Sequence, residues 1–342
     1  MTTNGFTVAV VGATGAVGEE MIRVLEQRDF PVAQLRPLAS ERSFGDAVTF
    51  RDAEVPVAVL NVESFRGVDV ALFSAGTDVS REFCGIAAKA GALVVDNSAA
   101  FRMEPDVALV VPEVNAAACA DWRRRGIIAN PNCSTIQLCV ALHPLQQAVG
   151  LERVIVATYQ SVSGAGRAAM ETLETETRAL LSGEETAPTA FPHPIAFNCL
   201  PHIDQFLDNG YTKEEWKVIE ETRKILSLPQ LPVTATAVRV PVFVGHSEAV
   251  HCSTTRPITA AAARELLRQA PGIVVVDDPS QLAYPLARTA AGQDAVFVGR
   301  IREDVGLPNG LALWVVADNL RKGAALNAVE IAEIVVNRYW AN

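Results

Sequence analysis

The chain is poor in the residues that build metal clusters and disulfide frameworks. Its 342 residues include six cysteines and five histidines. The cysteines form no CxxC pair, and the histidines lack the HxxxH spacing typical of metal ligands. The sequence CLPH at residues 199–202 is the nearest approach to a ligand pair. The sequence therefore predicts neither a metal site nor a disulfide-stapled fold.

Long apolar runs and excess positive charge are also missing. No apolar stretch approaches the length that crosses a bilayer. Lysine and arginine total 29 against 39 acidic residues, giving a net charge of −10, which disfavours a nucleic-acid surface. The first residues lack the basic and apolar regions of a signal peptide. We therefore expect a cytoplasmic protein that binds neither membranes nor nucleic acids.

The chain is 49% apolar, which is enough to form hydrophobic cores, and it is long enough for two folded domains. Strand and helix patterns alternate in the first part. The predicted strands are residues 7–11, 32–39, 68–74, 92–96, 108–111 and 126–129, and the predicted helices are 16–28 and 79–90. This alternation predicts an α/β fold with a mainly parallel, doubly wound, Rossmann-like sheet.

From residue 151 the strands become longer and alternate more between apolar and polar residues. We predict strands at 154–160, 234–241, 248–255, 295–301 and 311–316, with helices at 165–182, 213–226 and 260–269. Such strands are typical of an antiparallel or mixed sheet with one covered face. Residues 183–200 read as a loop and 319–340 as a closing helix. We therefore predict a dinucleotide-binding domain of residues 1–132 plus 319–342, and a second α+β domain of residues 133–318.

A glycine-rich segment follows the first strand directly and opens the first helix. Residues 12–18 read GATGAVG. Gly12 and Gly15 allow a tight turn and a close backbone approach, so that a pyrophosphate can sit on the helix N-terminus. The position after an N-terminal strand predicts a dinucleotide site, although such a pattern can also be purely structural.

The end of the second strand bears on which dinucleotide is bound. NAD-binding units usually place an acid there for the ribose hydroxyls. Here Ser40, Arg42 and Ser43 offer two hydroxyls and a guanidinium, which suit the 2′-phosphate of NADP. Glu41 is an acid in the same turn and keeps NAD open. The sequence favours NADP.

One cysteine stands where an apolar strand gives way to a helix. Residues 127–137 read IIANPNCSTIQ, and apolar residues recur at helical spacing up to residue 149. A thiol at a helix N-terminus meets unpaired N–H groups and the positive end of the helix dipole, which favour its thiolate. The same N–H groups can accept an oxyanion. Cys133 is therefore a candidate nucleophile; the alternative is a small side chain that fills the helix start.

Three further segments carry candidate ligands. Residues 159–166, YQSVSGAG, lead from a strand into a glycine-bearing loop that can approach a ligand closely. Arg239 lies inside a predicted strand, and His246 lies on the turn after it. The ordinary interpretation of Arg239 is a charge at a strand edge, and that of His246 is a surface histidine. Arg102 stands alone among small and apolar residues, which fits either an anionic ligand or a tertiary salt bridge.

Taken together, these motifs resemble those of the bacterial aspartate-semialdehyde dehydrogenases over essentially the whole chain. The resemblance rests on the glycine loop, Asn-Cys-Ser-Thr at 132–135, Tyr-Gln-x-Val-Ser-Gly at 159–164 and Glu-Glu-Trp-Lys at 214–217. It also includes the Arg-Val-Pro…His segment at 239–246 and Asp-Asn-Leu-Arg-Lys-Gly-Ala-Ala at 318–325. The cysteine, glutamine and arginine–histidine motifs in this order are more specific than the glycine loop.

The resemblance implies a reaction and a role for each matching residue. The reaction is NADPH-dependent reductive dephosphorylation of aspartyl phosphate to aspartate semialdehyde and phosphate, through a cysteine thioester, by a homodimer whose second domain dimerises. Cys133 would be the nucleophile, His246 the general acid/base, and Gln160 would orient the substrate. Arg239 would hold the substrate carboxylate and Glu214 its amino group. Phosphate would be bound by Arg102 and Lys217, beside Asn132. The implied NADP contacts are Thr14, Gly15, Ala16, Val17, Arg42, Ser43, Ser163, Gly164 and Asn319, to which the sequence adds Gly12 and Ser40.

Two rival functions remain. A reductase of N-acetyl-glutamyl phosphate shares the fold and the thioester chemistry, but its nucleophile typically follows a glycine and precedes an aromatic residue, unlike Asn132-Cys133-Ser134. A non-catalytic NADP-binding paralogue would be expected to lose the thiol, the glutamine or the histidine. For residues 213–217 a solvated, mixed-charge helix face is the alternative to a ligand role.

Overall fold

The computed structural model describes residues 5–185, 187 and 189–340. The chain divides into two compact units, residues 1–132 with 324–342, and residues 133–323. Residues 1–4, 341 and 342, which the predicted first domain includes, lie outside the described residues, as do 186 and 188 of the predicted loop.

The first unit is built on a parallel sheet of seven strands in the order β5-β2-β1-β6-β7-β9-β8. A separate antiparallel hairpin, β3-β4, accompanies it. The strands are β1 (Phe6–Val11), β2 (Val32–Ala39), β3 (Ala47–Phe50), β4 (Ala53–Pro56), β5 (Ala58–Val59), β6 (Val70–Phe73), β7 (Leu93–Asp96), β8 (Ala108–Leu109) and β9 (Ile127–Ala129). The strand order reverses beside β1, which is where ligands bind in doubly wound sheets.

The helices of this unit follow from the spacing of apolar residues. They are α1 (Ala16–Gln27), α2 (Thr77–Lys89) and the short α3 (Pro112–Asn115). In α1, Met21, Val24 and Leu25 are buried on one face, as their spacing predicts. The hairpin, β5 and α3 have too few residues for a periodic pattern, and the sequence reading missed them.

The second unit is built on a mixed sheet of six strands in the order β11-β10-β12-β15-β14-β13. The pairs β10–β11 and β13–β14 are parallel, and the other neighbours are antiparallel. The strands are β10 (Leu151–Gln160), β11 (Val233–Arg239), β12 (His246–Thr254), β13 (Ile273–Val275), β14 (Val296–Glu303) and β15 (Gly310–Ala317). The predicted mixed sheet is confirmed, with β13 as a strand that the sequence reading missed.

Five helices accompany this sheet: α4 (Cys133–Val149), α5 (Arg167–Leu181), α6 (Lys213–Ile225), α7 (Ala260–Arg268) and the short α8 (Ala287–Ala290). Helix α4 is buried over most of its length, as the core helix of an α/β unit must be. Thr212 and Glu215 form a reciprocal capping box at the start of α6, which fixes where that helix begins.

The chain then returns to the first unit through α9 (Leu326–Ile334), flanked by π-helical turns at Arg321–Ala325 and Val335–Tyr339. Residues 325–335 contribute to the hydrophobic core of the first unit, together with β1 and α1. The closing helix therefore completes a core that the first 132 residues leave open on one side. Among the residues described, no helix is long and apolar enough to cross a membrane.

Candidate active site

Cys133 is the first residue of α4, at the strand-to-helix position expected from the sequence. Its side chain is half-buried. Gly323 packs directly against it, since a Cβ on Gly323 would lie 2.9 Å from the Cβ of Cys133. Only glycine fits at that position without displacing the thiol. The start of α4 gives the sulfur the N-terminal N–H groups of a 17-residue helix as neighbours.

Gln160 and Arg239 are register partners at the ends of the parallel strands β10 and β11. Both side chains are buried. The amide Nε2 of Gln160 donates to Glu214 Oε1 at 3.1 Å, and Thr158 Oγ1 donates to Gln160 Oε1 at 2.9 Å. The glutamine amide therefore has both ends held before any ligand arrives, which fixes its orientation.

The guanidinium of Arg239 is held beside negative groups. Its Nη1 donates to the Ser161 carbonyl at 2.8 Å. Burial lowers the pKa of Arg239 below its ordinary value, and the charges of Glu214 and Cys133 act in the opposite direction. A cation in this position attracts a carboxylate and also stabilises a thiolate at Cys133.

His246 begins β12 and is completely buried. The Ser161 N–H donates to its Nδ1 at 3.1 Å, and Ser161 Oγ lies 3.0 Å from the same nitrogen. Because Nδ1 accepts the backbone N–H, we assign the ring proton to Nε2, which has no partner within the described structure. Burial and, next, Arg239 lower the pKa of His246 to about 3, against the opposing effect of Glu214. The imidazole is therefore neutral at physiological pH.

The loop after β10 lies against both of these side chains. A Cβ on Gly164 would come within 3.1 Å of Arg239 Nη1 and 3.4 Å of His246 Nε2. Asn319 Nδ2 donates to Ser163 Oγ at 2.9 Å. Asn319 Oδ1 accepts from Ser161 Oγ at 2.9 Å and from the Gly245 N–H at 2.9 Å. These bonds hold the loop in place, with Gly164 packed against the side chains of Arg239 and His246.

Helix α6 presents charged residues that are not on a solvated face. Glu214 is 7% exposed. Lys217 Nζ lies 2.8 Å from Asp204 Oδ2 and 3.1 Å from Glu214 Oε2. Burial lowers the pKa of Lys217, but the charges of Glu214 and Asp204 outweigh it, so the pKa lies above its ordinary value. The ammonium is therefore firmly charged.

In the first unit, the glycine loop has the geometry that a dinucleotide needs. Gly12 has φ +84°, and a Cβ there would lie 2.9 Å from the Ser74 carbonyl oxygen. A Cβ on Gly18 would overlap the Gly12 carbonyl oxygen. Gly15 is the residue before α1 and is exposed, so the first N–H groups of the helix face open space. Gly12 and Gly18 therefore let the turn pack closely against backbone atoms, which leaves an open cradle at Gly15 that fits a pyrophosphate.

The turn after β2 places the residues that bear on cofactor choice. Glu41–Ser43 form one turn of 3₁₀ helix that Ser40 precedes. Ser40, Glu41 and Arg42 are exposed, while Ser43 Oγ lies 3.0 Å from Thr14 Oγ1 of the glycine loop. The hydroxyl-bearing turn and the glycine loop are therefore adjacent.

Arg102, also in the first unit, is buried and bonded to backbone carbonyls. Nε donates to Asn130 O and Nη2 to Asn97 O, each at 2.9 Å. Asn327 of α9 donates to Asn130 Oδ1 at 2.6 Å, which fixes the segment that precedes Cys133. Asn132 in that segment is buried as well. Across the described residues, no group of three or more histidine, cysteine or acidic side chains could hold a metal ion.

Comparison with known proteins decides the family. Residues 7–122 match the semialdehyde dehydrogenase NAD binding domain, and residues 142–322 match the semialdehyde dehydrogenase dimerisation domain. The chain is 56% identical to the aspartate-semialdehyde dehydrogenase of Legionella pneumophila, over 97% of this chain and 96% of that protein. The chain belongs to the aspartate-semialdehyde dehydrogenase family. The predicted family, fold class and oxidoreductase activity class are thereby confirmed, as is the use of a nicotinamide cofactor.

Solved structures agree with this assignment. The structure of aspartate semialdehyde dehydrogenase II of Vibrio cholerae, described as complexed with ASA, superposes with a TM-score of 0.95 at 52% identity, covering 98% of this chain and 100% of that one. The Candida albicans aspartate semialdehyde dehydrogenase, described as bound with NADP, superposes with a TM-score of 0.76 at 26% identity. Its match covers 97% of this chain and 98% of the Candida chain.

The structure brings most of the predicted second-domain residues into one constellation. The contacts and charges described above link four of them: Gln160, Glu214, Arg239 and His246. The charge of Cys133 acts to raise the pKa of Arg239. Sequence reasoning missed three of their neighbours. Ser161 and Gly323 lie within quoted motifs, so their positions were usable signals, but Asp204 gave none. The structure also places Asn319 in the second unit, where its side chain bonds to the loop beside His246.

Proposed function

We propose that the protein catalyses NADPH-dependent reductive dephosphorylation of L-4-aspartyl phosphate to L-aspartate 4-semialdehyde and phosphate. The observation that carries this proposal is the constellation in the second unit. It combines a thiol at a helix start, a buried guanidinium and a buried neutral imidazole held through one loop. A soft nucleophile, a carboxylate anchor and a proton carrier are the parts that acyl-phosphate reduction needs.

In the proposed mechanism the Cys133 sulfur attacks the acyl carbon, the carbon–oxygen bond to phosphate breaks, and a thioester forms with release of inorganic phosphate. When bound, the nicotinamide supplies the hydride that reduces this thioester. Hydride addition leaves a thiohemiacetal oxyanion. As its carbon–oxygen double bond re-forms, the carbon–sulfur bond breaks and releases the aldehyde and the Cys133 thiolate. The nearby Arg239 charge supports the thiolate at both ends of this sequence.

His246 is proposed as the group that holds and moves the proton. Its assigned Nε2–H can donate a hydrogen bond to the carbonyl oxygen as that oxygen becomes negative. Ser161 contacts Nδ1 from both its N–H and its hydroxyl, so the ring orientation is set by the protein rather than by the substrate. Gln160, held by Thr158 and Glu214, is proposed to orient the substrate.

The remaining polar residues are proposed as substrate anchors. Arg239 would grip the α-carboxylate with two parallel bonds, and Glu214 would bind the α-amino group. Arg102, Lys217 and Asn132 are proposed phosphate ligands. Lys217 would supply a charged ammonium group, which the structure pairs with Asp204 and Glu214.

We propose NADP(H), without a metal, as the cofactor. The residues that would hold it are Gly12, Thr14, Gly15, Ala16, Val17, Ser40, Arg42, Ser43, Ser163, Gly164 and Asn319. The open cradle at Gly15 and the exposed guanidinium of Arg42 support this choice. We propose that residues 1–132 and 319–342 serve the nucleotide and residues 133–318 the chemistry. This functional division differs from the two compact units only in residues 319–323.

The proposed reaction is tested by assaying aspartyl phosphate and N-acetyl-glutamyl phosphate side by side with NADPH. We expect oxidation of NADPH with the aspartyl compound only, and phosphate-dependent formation of NADPH from aspartate semialdehyde in the reverse direction. Turnover of the acetylglutamyl compound alone would make the protein the other reductase. No turnover in either direction would favour a non-catalytic paralogue.

We further propose that the protein is a cytoplasmic homodimer. The dimerisation domain supports the dimer, as do the partly exposed aromatic rings of Tyr159 and Trp314, 5.4 Å apart on the sheet of the second unit. All six cysteines are free thiols, which suits a reducing compartment. Light scattering after size-exclusion chromatography should give twice the mass of 36.5 kDa.

A further inference from the structure

A buried acid, Glu248, lies on the strand that begins with His246 and has no role in the mechanism above. Its side chain is completely buried. Within the part of the chain that the structure describes, neither carboxylate oxygen has a hydrogen-bond donor and neither forms an ion pair. An ionised carboxylate is strongly disfavoured in such surroundings, so the carboxyl group keeps its proton.

The neighbour that explains this acid is Gln137 of α4. Gln137 Nε2 donates to the backbone carbonyl of His246 at 3.3 Å, while its Oε1 is buried without a donor. Burial raises the pKa of Glu248 well above its ordinary value, and the nearby Gln137 side chain acts in the opposite direction. A hydrogen bond from a protonated Glu248 to Gln137 Oε1 would satisfy buried groups on both side chains with one proton.

The two residues lie next to both reacting groups along their own elements. Gln137 is four residues after Cys133, one turn further along α4. Glu248 is two residues after His246 and shares its face of the sheet. Across the sheet, Glu248 is the register partner of Thr158, whose hydroxyl donates to Gln160. The pair therefore joins the helix that starts at the thiol to the strand that starts at the imidazole.

We propose that Glu248 is a positioning residue that, through its proton and Gln137, fixes the start of β12 against the first turns of α4. The separation of the Cys133 thiol from the His246 imidazole is thereby held constant during turnover. The inference rests on the proposed function for the roles of Cys133 and His246. The other titratable groups of this region are Cys139 and Glu221, which interact with each other, and Cys139 also interacts with Glu248.

The test compares two substitutions that differ in hydrogen bonding. Glu248→Gln keeps a neutral donor for Gln137 Oε1, whereas Glu248→Met keeps the length but removes the donor. We expect Glu248→Met to lower kcat about tenfold with KM changed less than about twofold, and Glu248→Gln to retain kcat within about twofold. Val250→Ala is the matched control, since Val250 is buried on the same face of β12. It should lower the Tm and leave kcat intact.

Two results would overturn the inference. Equal loss of kcat in both Glu248 variants would mean that the group acts by ionising, and unchanged kcat in Glu248→Met would mean that it positions nothing. A readout independent of activity is the infrared carbonyl band of a protonated carboxyl group, expected at neutral pH and lost in Glu248→Gln. The band without any wild-type turnover would refute the proposed function alone. Turnover without the band would refute the inference alone.

Discussion

Replacing Arg239 with lysine tests how the substrate carboxylate is held. The guanidinium offers a planar fork for two parallel bonds, and one nitrogen, Nη1, already donates to the Ser161 carbonyl at 2.8 Å. Lysine keeps the charge but offers a single compact ammonium group. Losing one charge-assisted hydrogen bond costs about 1.5–3 kcal/mol. We therefore expect kcat/KM to fall about 10- to 150-fold, mainly through KM for aspartate semialdehyde.

The assay is phosphate-dependent NADPH formation from aspartate semialdehyde, with 3-aminopropanal as a second substrate because it lacks the α-carboxylate. With that substrate Arg239→Lys should change kcat/KM by less than about twofold, since the lost bond has no partner. Arg223→Lys is the matched control. Arg223 lies in the same unit and donates Nε to the Leu231 carbonyl at 2.9 Å, away from the constellation.

The outcome that would refute this reasoning is an equal loss of kcat/KM with both substrates. Arg239 would then act on the thiol or on Ser161 rather than on the carboxylate. Unchanged constants with aspartate semialdehyde would remove Arg239 from substrate binding altogether.

Three further predictions concern the proposed nucleophile, the proposed NADPH contact and the imidazole. Cys133→Ala should abolish turnover but leave NADPH binding intact, as measured by fluorescence titration. As the control, Cys199→Ala should keep full activity, since Cys199 is exposed. Residual turnover in Cys133→Ala would contradict covalent catalysis. Arg42→Ser should raise KM for NADPH about tenfold or more and change KM for NADH little, since only NADPH carries the 2′-phosphate. An equal rise in KM for both cofactors would exclude a contact between Arg42 and the 2′-phosphate. The pKa of His246 is about 3 in the folded protein, against 6.5 ordinarily. Between these pH values the unfolded chain binds a proton that the folded protein does not. The free energy of unfolding is therefore highest above pH 6.5 and falls as the pH is lowered. Between pH 6.5 and 5 the wild type should lose about 2 kcal/mol more unfolding free energy than His246→Gln in urea titrations; parallel curves would mean that the imidazole is protonated in the folded state.

The sequence determined the order of elements and the local setting of each motif. The pattern around α1 places Met21, Val24 and Leu25 on one buried face, and the glycine loop directly precedes that helix. Cys133 likewise stands at the start of α4 because a strand, a proline turn and an apolar helix follow one another in the chain. These features are local, since periodicity and turn chemistry act within a few residues.

Only the tertiary structure decided which side chains meet. The register of β10 with β11 puts Gln160 beside Arg239, although 78 residues separate Ser161 from its hydrogen-bond partner Arg239. The ion pair of Lys217 with Asp204 and the buried Glu248 depend in the same way on how distant elements pack. Burial and pairing set the charge states of these side chains, and neither can be inferred from the residues that neighbour them in the sequence. The neutral imidazole and the protonated acid are therefore properties of the fold rather than of the motifs that carry them.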